Sequence, residues 1–142
     1  MPKALSVTFP NRLTEIERAA RLIEAFGETH GLSPKVTFSL NLALDEVVTN
    51  IISYAYDDDA DHFVMVRVAL DRDVVSVRVE DDGRAFNPLD AAPPDLRLGA
   101  DERPIGGLGV HIVRSVMDSL EYHRENERNV LIMTKRLDTS PA

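Results

Sequence analysis

The sequence of 142 residues contains no cysteine, so neither a disulfide framework nor a thiolate metal site can form. It has no apolar run long enough to cross a membrane, and residues 1–10 lack the apolar stretch of a signal peptide. These absences predict a cytoplasmic protein that does not act at a membrane.

Basic residues are also scarce, since 16 Lys and Arg stand against 24 Asp and Glu and give a formal net charge of −8. Such an excess of acid argues against general binding to nucleic acid. It does not exclude a nucleotide, whose phosphates need only a local group of backbone N–H donors and a metal ion. The length predicts one domain, residues 1–142, with a sizeable core.

Hydrophobic periodicity predicts the secondary structure, with alternation indicating strands and a spacing of three to four residues indicating helices. Strands are predicted at 5–9, 62–70, 73–81 and 129–137, and helices at 11–26, 33–56 and 107–120. Helices grouped apart from hairpin-connected strands favour an α+β two-layer sandwich with a mostly antiparallel sheet.

The second predicted helix carries Glu46 and Asn50, whose side chains are neighbours because they lie one helical turn apart. Asparagine is disfavoured inside helices, which makes Asn50 a candidate functional residue. An amide oxygen and a carboxylate so placed could serve a Mg²⁺ ion and an attacking hydroxyl. The alternative is the solvated polar face of an ordinary amphipathic helix.

Three further stretches have both a structural and a functional interpretation. Asp81-Asp82-Gly83 follows a strand and is either a turn or a place where a buried carboxylate accepts a hydrogen bond from an exocyclic amine. Residues 87–105 hold four of the eight prolines without apolar periodicity, which is typical of a functional lid or of a linker. Gly107 and Gly109 open an apolar helix, as at a phosphate site or in a tight loop.

Taken in order, these motifs resemble the GHKL ATPase superfamily, which includes DNA gyrase, the histidine kinases and the anti-sigma-factor serine kinases. The resemblance covers about residues 5–137. It is strongest to the anti-sigma-factor serine kinases, through "ALDEVVTNIISYAY", "EDDGRAFNP", "RPIGGLGVHIVRSVMD" and "NVLIMTKRL". It implies the Bergerat type of two-layer α/β sandwich, with the helices on one face of the sheet.

The resemblance also implies roles for individual residues. Glu46 matches the catalytic glutamate that acts as general base, and Asn50 matches the asparagine that ligates Mg²⁺ beside the nucleotide. Asp81 matches the aspartate that binds the adenine amino group, and Gly83 matches the glycine next to it.

For the phosphates, the resemblance implies backbone contacts from Gly107 and Gly109 and an ATP lid at residues 88–106. The implied cofactors are ATP and Mg²⁺. The sequence departs from the family pattern at Ala85, where many members have a second glycine, and at Asn129, where many have a threonine that supports the adenine pocket. Tyr54 stands where many of the kinases have histidine.

Two functions agree with these observations. The first is a serine kinase that phosphorylates a STAS-domain anti-anti-sigma protein, and Glu46 favours it because a pure binding module needs no base there. The second is an ATP-responsive module that sequesters a sigma factor or a similar regulator. A complete histidine kinase or a gyrase-like enzyme would need further domains, for which 142 residues leave no room. The resemblance leaves a homodimer open.

Overall fold

The computed structural model describes residues 3–58, 60–87 and 107–137, and the predicted lid at 88–106 lies outside them. Within these residues, five strands and three helices follow in the order β1 (Lys3–Pro10), α1 (Leu13–His30), α2 (Pro34–Tyr54), β2 (Phe63–Asp71), β3 (Val74–Asp81), α3 (Gly107–Val116), β4 (Ser119–Glu125) and β5 (Arg128–Arg136). No helix in this part of the chain is both long enough and apolar enough to cross a bilayer.

The strands form one sheet in the order β1-β2-β3-β5-β4, and each neighbouring pair is antiparallel. Burial alternates along β2: Val64 and Val66 are fully buried, whereas Phe63 and Met65 are 55% and 37% exposed. Since alternate side chains point to opposite faces of a sheet, one face packs against the helices and the other does not. The predicted α+β two-layer sandwich is therefore confirmed.

Helix α2 is central to the helical layer, because it packs against α1, α3 and β3. It begins where the sequence predicts, with the Ser33 hydroxyl accepting a hydrogen bond from the Val36 N–H at 3.2 Å and Pro34 in the first turn. The preceding helix ends at His30 and is followed by Gly31, whose φ of 76° is the left-handed conformation that favours glycine. Leu44, Val48 and other apolar residues of α2 fill the core.

The predicted helix at 107–120 is too long, and strand β4 (Ser119–Glu125) was missed. Helix α3 ends at Val116, after which the Asp118 N–H donates to the Thr134 carbonyl and the Asp118 carboxylate accepts from the Arg136 N–H. These bonds turn the chain into an edge strand that pairs with β5. The two strands meet at Asn126 and Glu127, both with positive φ, as in a two-residue hairpin turn.

Candidate functional site

Asp81 is the last residue of β3 and its side chain is almost completely buried, with 1% exposed. One carboxylate oxygen, Oδ1, accepts a hydrogen bond from the Gly83 N–H at 2.9 Å and another from the Asn129 side-chain amide at 2.9 Å. Burial raises the pKa of Asp81, and these two hydrogen bonds act in the opposite direction. The strand thus ends in a buried acceptor whose orientation is fixed by two hydrogen bonds.

Gly83 lies against the end of α2, which explains why glycine is needed there. A Cβ added at this position would sit 2.5 Å from the Ala55 carbonyl oxygen and 2.7 Å from the Ala55 Cβ. The next residue extends the contact, because the Arg84 N–H donates to the Ala55 carbonyl at 2.9 Å. The close approach at Gly83 is therefore to the protein's own backbone, and a contact with a nucleotide ring stays a prediction.

The loop after Gly83 is anchored to α2 by side chains as well. The Arg84 guanidinium donates to the Tyr54 carbonyl at 2.7 Å, and the Tyr54 and Phe86 rings lie 5.6 Å apart. Ala85 is exposed and is not among the described residues with positive φ, so its backbone does not require the glycine of many relatives. The two departures from the family pattern at Tyr54 and Ala85 thus fit a loop held on α2.

Tyr56 holds Asp82, the residue between Asp81 and Gly83, by a hydrogen bond. Its hydroxyl donates to the Asp82 carboxylate at 2.7 Å, and its ring stacks on His62 at 4.2 Å. Burial raises the pKa of Tyr56, and the hydrogen bond to Asp82 raises it further. His62 in turn bonds to Asp58 at 2.8 Å. The acidic segment after α2 therefore helps to hold the loop that contains Asp81.

Asn129 is the residue that sequence reasoning underestimated. It pairs with Asp81 across the β3–β5 register and is 3% exposed. Its amide nitrogen donates to Asp81 and to the Arg84 carbonyl, the latter at 2.8 Å. The signal was present in "NVLIMTKRL", because Asn129, Leu131 and Met133 alternate and so share the buried face.

Glu46 and Asn50 both lie on α2, one helical turn apart. Asn50 is 2% exposed, and its Oδ1 has no hydrogen-bond partner among residues 3–58, 60–87 and 107–137. Glu46 is half-buried, and its pKa is raised by desolvation and then by the neighbouring charge of Asp45. The interpretation of this arc as a solvated polar face is therefore wrong for Asn50.

Helix α3 begins at Gly107, with Gly109 in its first turn, and packs against α2. The first N–H groups of any helix have no partner within it, so this end presents donors suited to an anion. The described residues contain no cluster of three or more His, Asp or Glu able to hold a metal by themselves. A cation here would need ligands from elsewhere, such as phosphate oxygens.

An open groove of about 730 Å³ lies apart from these residues, between α1 and α2. Its lining includes Leu13, Ile16, Phe38 and Asn41, and none of the predicted site residues. The predicted residues are instead spread over α2, the end of β3 and the start of α3. Because α2 packs against both other elements, the fold places them on adjoining parts of the molecule.

Comparison with known proteins gives a family. Residues 9–135 match the model of the histidine kinase-like ATPase domain. The chain is 31% identical over 102 residues to a Bordetella bronchiseptica protein named serine/threonine-protein kinase BtrW, covering 72% of each chain. It is 32% identical over 101 residues to a Clostridium perfringens protein named anti-sigma F factor, covering 70% of this chain and 72% of that one.

The fold is also found among solved structures. A crystal structure of the RsbU and RsbW domains of a Mycobacterium tuberculosis protein superposes with a TM-score of 0.68 and 15% identity. The match covers 94% of this chain and 32% of that chain, so the shared part is about a third of the larger protein. At this identity the likeness speaks for the fold alone, and it confirms the predicted sandwich.

Proposed function

The chain belongs to the histidine kinase-like ATPase domains, and from this premise we propose that it transfers the γ-phosphoryl group of ATP to a serine of a STAS-domain anti-anti-sigma protein. Relatives named as a serine/threonine kinase and as an anti-sigma factor support this proposal. The observation that carries it is Asn50, a buried amide oxygen without a described partner, one helical turn from the half-buried Glu46.

ATP is held first through its base. Asp81 accepts a hydrogen bond from the exocyclic amine of adenine, and the neighbouring Gly83 allows the loop to lie close to α2. The carboxylate is already bonded on one oxygen by two donors, so little ordering is needed when the base arrives.

Mg²⁺ fits the donor that α2 provides. Magnesium prefers oxygen ligands, takes few of them from the protein and completes its shell with water and substrate phosphates. The Asn50 Oδ1 is such an oxygen, and a cation would satisfy an acceptor that is otherwise buried without a partner. Held by Asn50, such an ion would supply positive charge that neutralises the phosphates.

Helix α3 begins with Gly107 and Gly109, and the backbone N–H groups of this first turn are the donors that we assign to the phosphates. The positive end of the helix dipole adds to this attraction. Because glycine has no side chain, it permits a close backbone approach at both positions, which accounts for poor helix formers at a helix start.

Glu46 acts on the incoming serine. The serine oxygen attacks the γ-phosphorus, the bond from that phosphorus to the bridging oxygen breaks, and ADP leaves. The Glu46 carboxylate accepts the hydroxyl proton. Desolvation and Asp45 raise the pKa of Glu46, which makes it a stronger base than an exposed carboxylate.

The test is phosphorylation of a candidate STAS-domain protein from the same organism, using ATP labelled at the γ-phosphate, with and without Mg²⁺. A partner with its acceptor serine replaced by alanine is the control. Label on the unsubstituted partner, and none on the partner with alanine in place of the serine, supports the kinase function. The relative named anti-sigma F factor favours the second function, a module that sequesters a sigma factor. In that case the protein binds its regulator in an ATP-dependent way and transfers no label.

A further inference from the structure

The hydrogen-bonding groups of Asn129 are all used inside the protein. Its amide nitrogen donates to Asp81 Oδ1 and to the Arg84 carbonyl, at 2.9 and 2.8 Å. Its oxygen accepts from the Phe86 N–H at 3.1 Å, from the Arg124 guanidinium at 3.0 Å and from the Tyr122 hydroxyl. A carboxamide has two donor hydrogens and two lone pairs, so Asn129 has no capacity left for a ligand.

The carboxylate of Asp81 is bonded unequally as a result. Both of its described hydrogen bonds, from Gly83 and from Asn129, go to Oδ1. The other oxygen, Oδ2, has no hydrogen bond from the described residues. A free carboxylate can rotate about its χ2 torsion, which is broad and two-fold. Two donors on one oxygen remove that freedom and leave Oδ2 as the acceptor.

The contacts of Asn129 also reach three separate parts of the structure. Tyr122 and Arg124 lie on the edge strand β4, Arg84 and Phe86 belong to the loop after β3, and Asp81 ends β3. Arg124 additionally donates to the Gly83 carbonyl at 2.9 Å. The acceptor, the loop and the edge hairpin are therefore fixed relative to one another through one buried side chain.

We propose that Asn129 is the positioning residue for adenine recognition, which holds Asp81 with Oδ2 directed to the exocyclic amine and never touches the base itself. This inference rests on the proposed binding of ATP. It gives a role to a residue that stands where many relatives have threonine. Asn129 determines how strongly the protein distinguishes an adenine nucleotide from a purine nucleotide without the amine.

The test compares the affinities for ADP and for purine riboside 5′-diphosphate, which lacks the exocyclic amine, by calorimetry. The parent should prefer ADP by about ten- to a hundredfold, the value of a charge-assisted hydrogen bond. Asn129→Leu should bring the two affinities close to equality. Asn129→Asp keeps the size and the acceptor oxygen but replaces the donor by an acceptor, and it should lose the preference as well.

Asn41→Leu is the matched control, because Asn41 is a part-buried asparagine on α2 that donates to the Ala20 carbonyl at 3.4 Å. It should keep the full preference for ADP. A purely structural role for Asn129 predicts equal weakening of both nucleotides, and that result would overturn the inference. If Asn129→Leu does not fold, Asn129→Asp decides.

The two proposals fail in different ways. A parent that binds ADP with the expected preference, while both Asn129 variants keep it, rules out the positioning role and leaves ATP binding intact. A parent that binds neither nucleotide, or both equally, refutes recognition of the amine by Asp81. The role of Asn129 then falls with it.

Discussion

The loop around Asp81 and the helix segment around Asn50 differ in how completely their polar groups are bonded before any ligand arrives. Asp81 and Asn129 share a buried network in which Asn129 alone makes five hydrogen bonds. The Asn50 Oδ1 is equally buried and has none from the described residues. The network of Asp81 and Asn129 is the base end of the proposed nucleotide site, and we call it closed because every group of Asn129 is bonded within the protein. The α2 segment with Glu46 and Asn50 is the metal end, and we call it open because the Asn50 Oδ1 has no partner among the described residues.

This difference has a thermodynamic meaning. At the base end every group of Asn129 is bonded and two donors hold Asp81 Oδ1, so one arrangement of the chain is stabilised and the remaining oxygen, Oδ2, is oriented in advance. A buried acceptor without a partner costs about 1–3 kcal/mol, which a ligand recovers when it binds. The proposed site therefore offers the base an acceptor that is already oriented, whereas at the metal end the ligand itself would complete the hydrogen bonding.

The largest expected effect is on the rate of phosphoryl transfer, and it comes from a change at the open end that leaves ATP binding at the closed end intact. Glu46→Gln keeps the shape of the side chain but removes the base, so transfer to the partner serine should fall by about 10²–10⁴-fold. Affinity for ATP should stay nearly unchanged, since the base end is untouched. Single-turnover phosphorylation at saturating ATP measures the first quantity, and calorimetry measures the second.

Asp45→Asn is the matched control for this variant, on the neighbouring exposed residue. It should transfer at close to the parent rate. Because the charge of Asp45 raises the pKa of Glu46, its removal should move the acidic limb of the pH–rate profile to lower pH. Equal rates for Glu46→Gln and the parent would remove Glu46 from the reaction.

The next effect concerns the closed end. Asp81→Asn keeps the size but loses the charged acceptor, so ATP affinity should drop about ten- to a hundredfold, with or without Mg²⁺. Calorimetric titration in magnesium and in a chelator checks both statements. If the loss appeared only with Mg²⁺, Asp81 would act at the metal end and the comparison between the two ends would fail.

The pH dependence of the parent sharpens the same point. In the proposed site the ionised Asp81 is a stronger acceptor for the adenine amine than the protonated acid, and burial raises its pKa in the unliganded protein. ADP affinity should therefore fall on acidification, starting at a pH above the ordinary aspartate range. Asp81→Asn should show a flatter profile. A depressed pKa would shift the fall to lower pH, which would contradict the direction argued from burial.

A smaller effect is expected where the loop rests on α2. In Gly83→Ala the new Cβ meets the Ala55 backbone at 2.5 Å, and overpacking of this kind costs about 1–3 kcal/mol of unfolding free energy. Gly27→Ala is the matched control, because its Cβ meets the Thr37 hydroxyl, also at 2.5 Å, which can rotate away. Denaturant unfolding should give Gly83→Ala a clearly lower free energy of unfolding than Gly27→Ala. The reverse order would contradict the packing of this loop against α2.

The sequence predicts the arrangement of residues at the open end more completely than the arrangement at the closed end. Glu46 and Asn50 are one turn apart on a single helix, so local periodicity was enough to place them side by side. Asp81 and Asn129 are brought together by β3–β5 pairing over a separation of 48 residues, which no local pattern encodes. The same limit explains β4, because its hydrogen bonds go to β5, while its residues continue the apolar spacing of α3.

The smallest expected effect, in free energy, tests the open end itself. Asn50→Leu replaces a buried acceptor that lacks a described partner by an apolar side chain of similar volume. The free energy of unfolding without ligand should therefore rise, by about 1 kcal/mol. Asn129→Leu, at an asparagine with every group bonded, should instead lower it. Denaturant unfolding of both variants gives the two signs.

Function should change in the opposite direction from stability. If Asn50 ligates the cation, the leucine variant keeps its affinity for ATP in a chelator but gains none when Mg²⁺ is added, whereas the parent binds more tightly. Asn41→Leu, on the same helix, should retain the magnesium response. A leucine variant at position 50 that is destabilised and still responds to Mg²⁺ would mean that the buried oxygen has a partner within the chain. The buried polar groups of both ends would then have hydrogen-bond partners within the chain, and the contrast between the two ends would be lost.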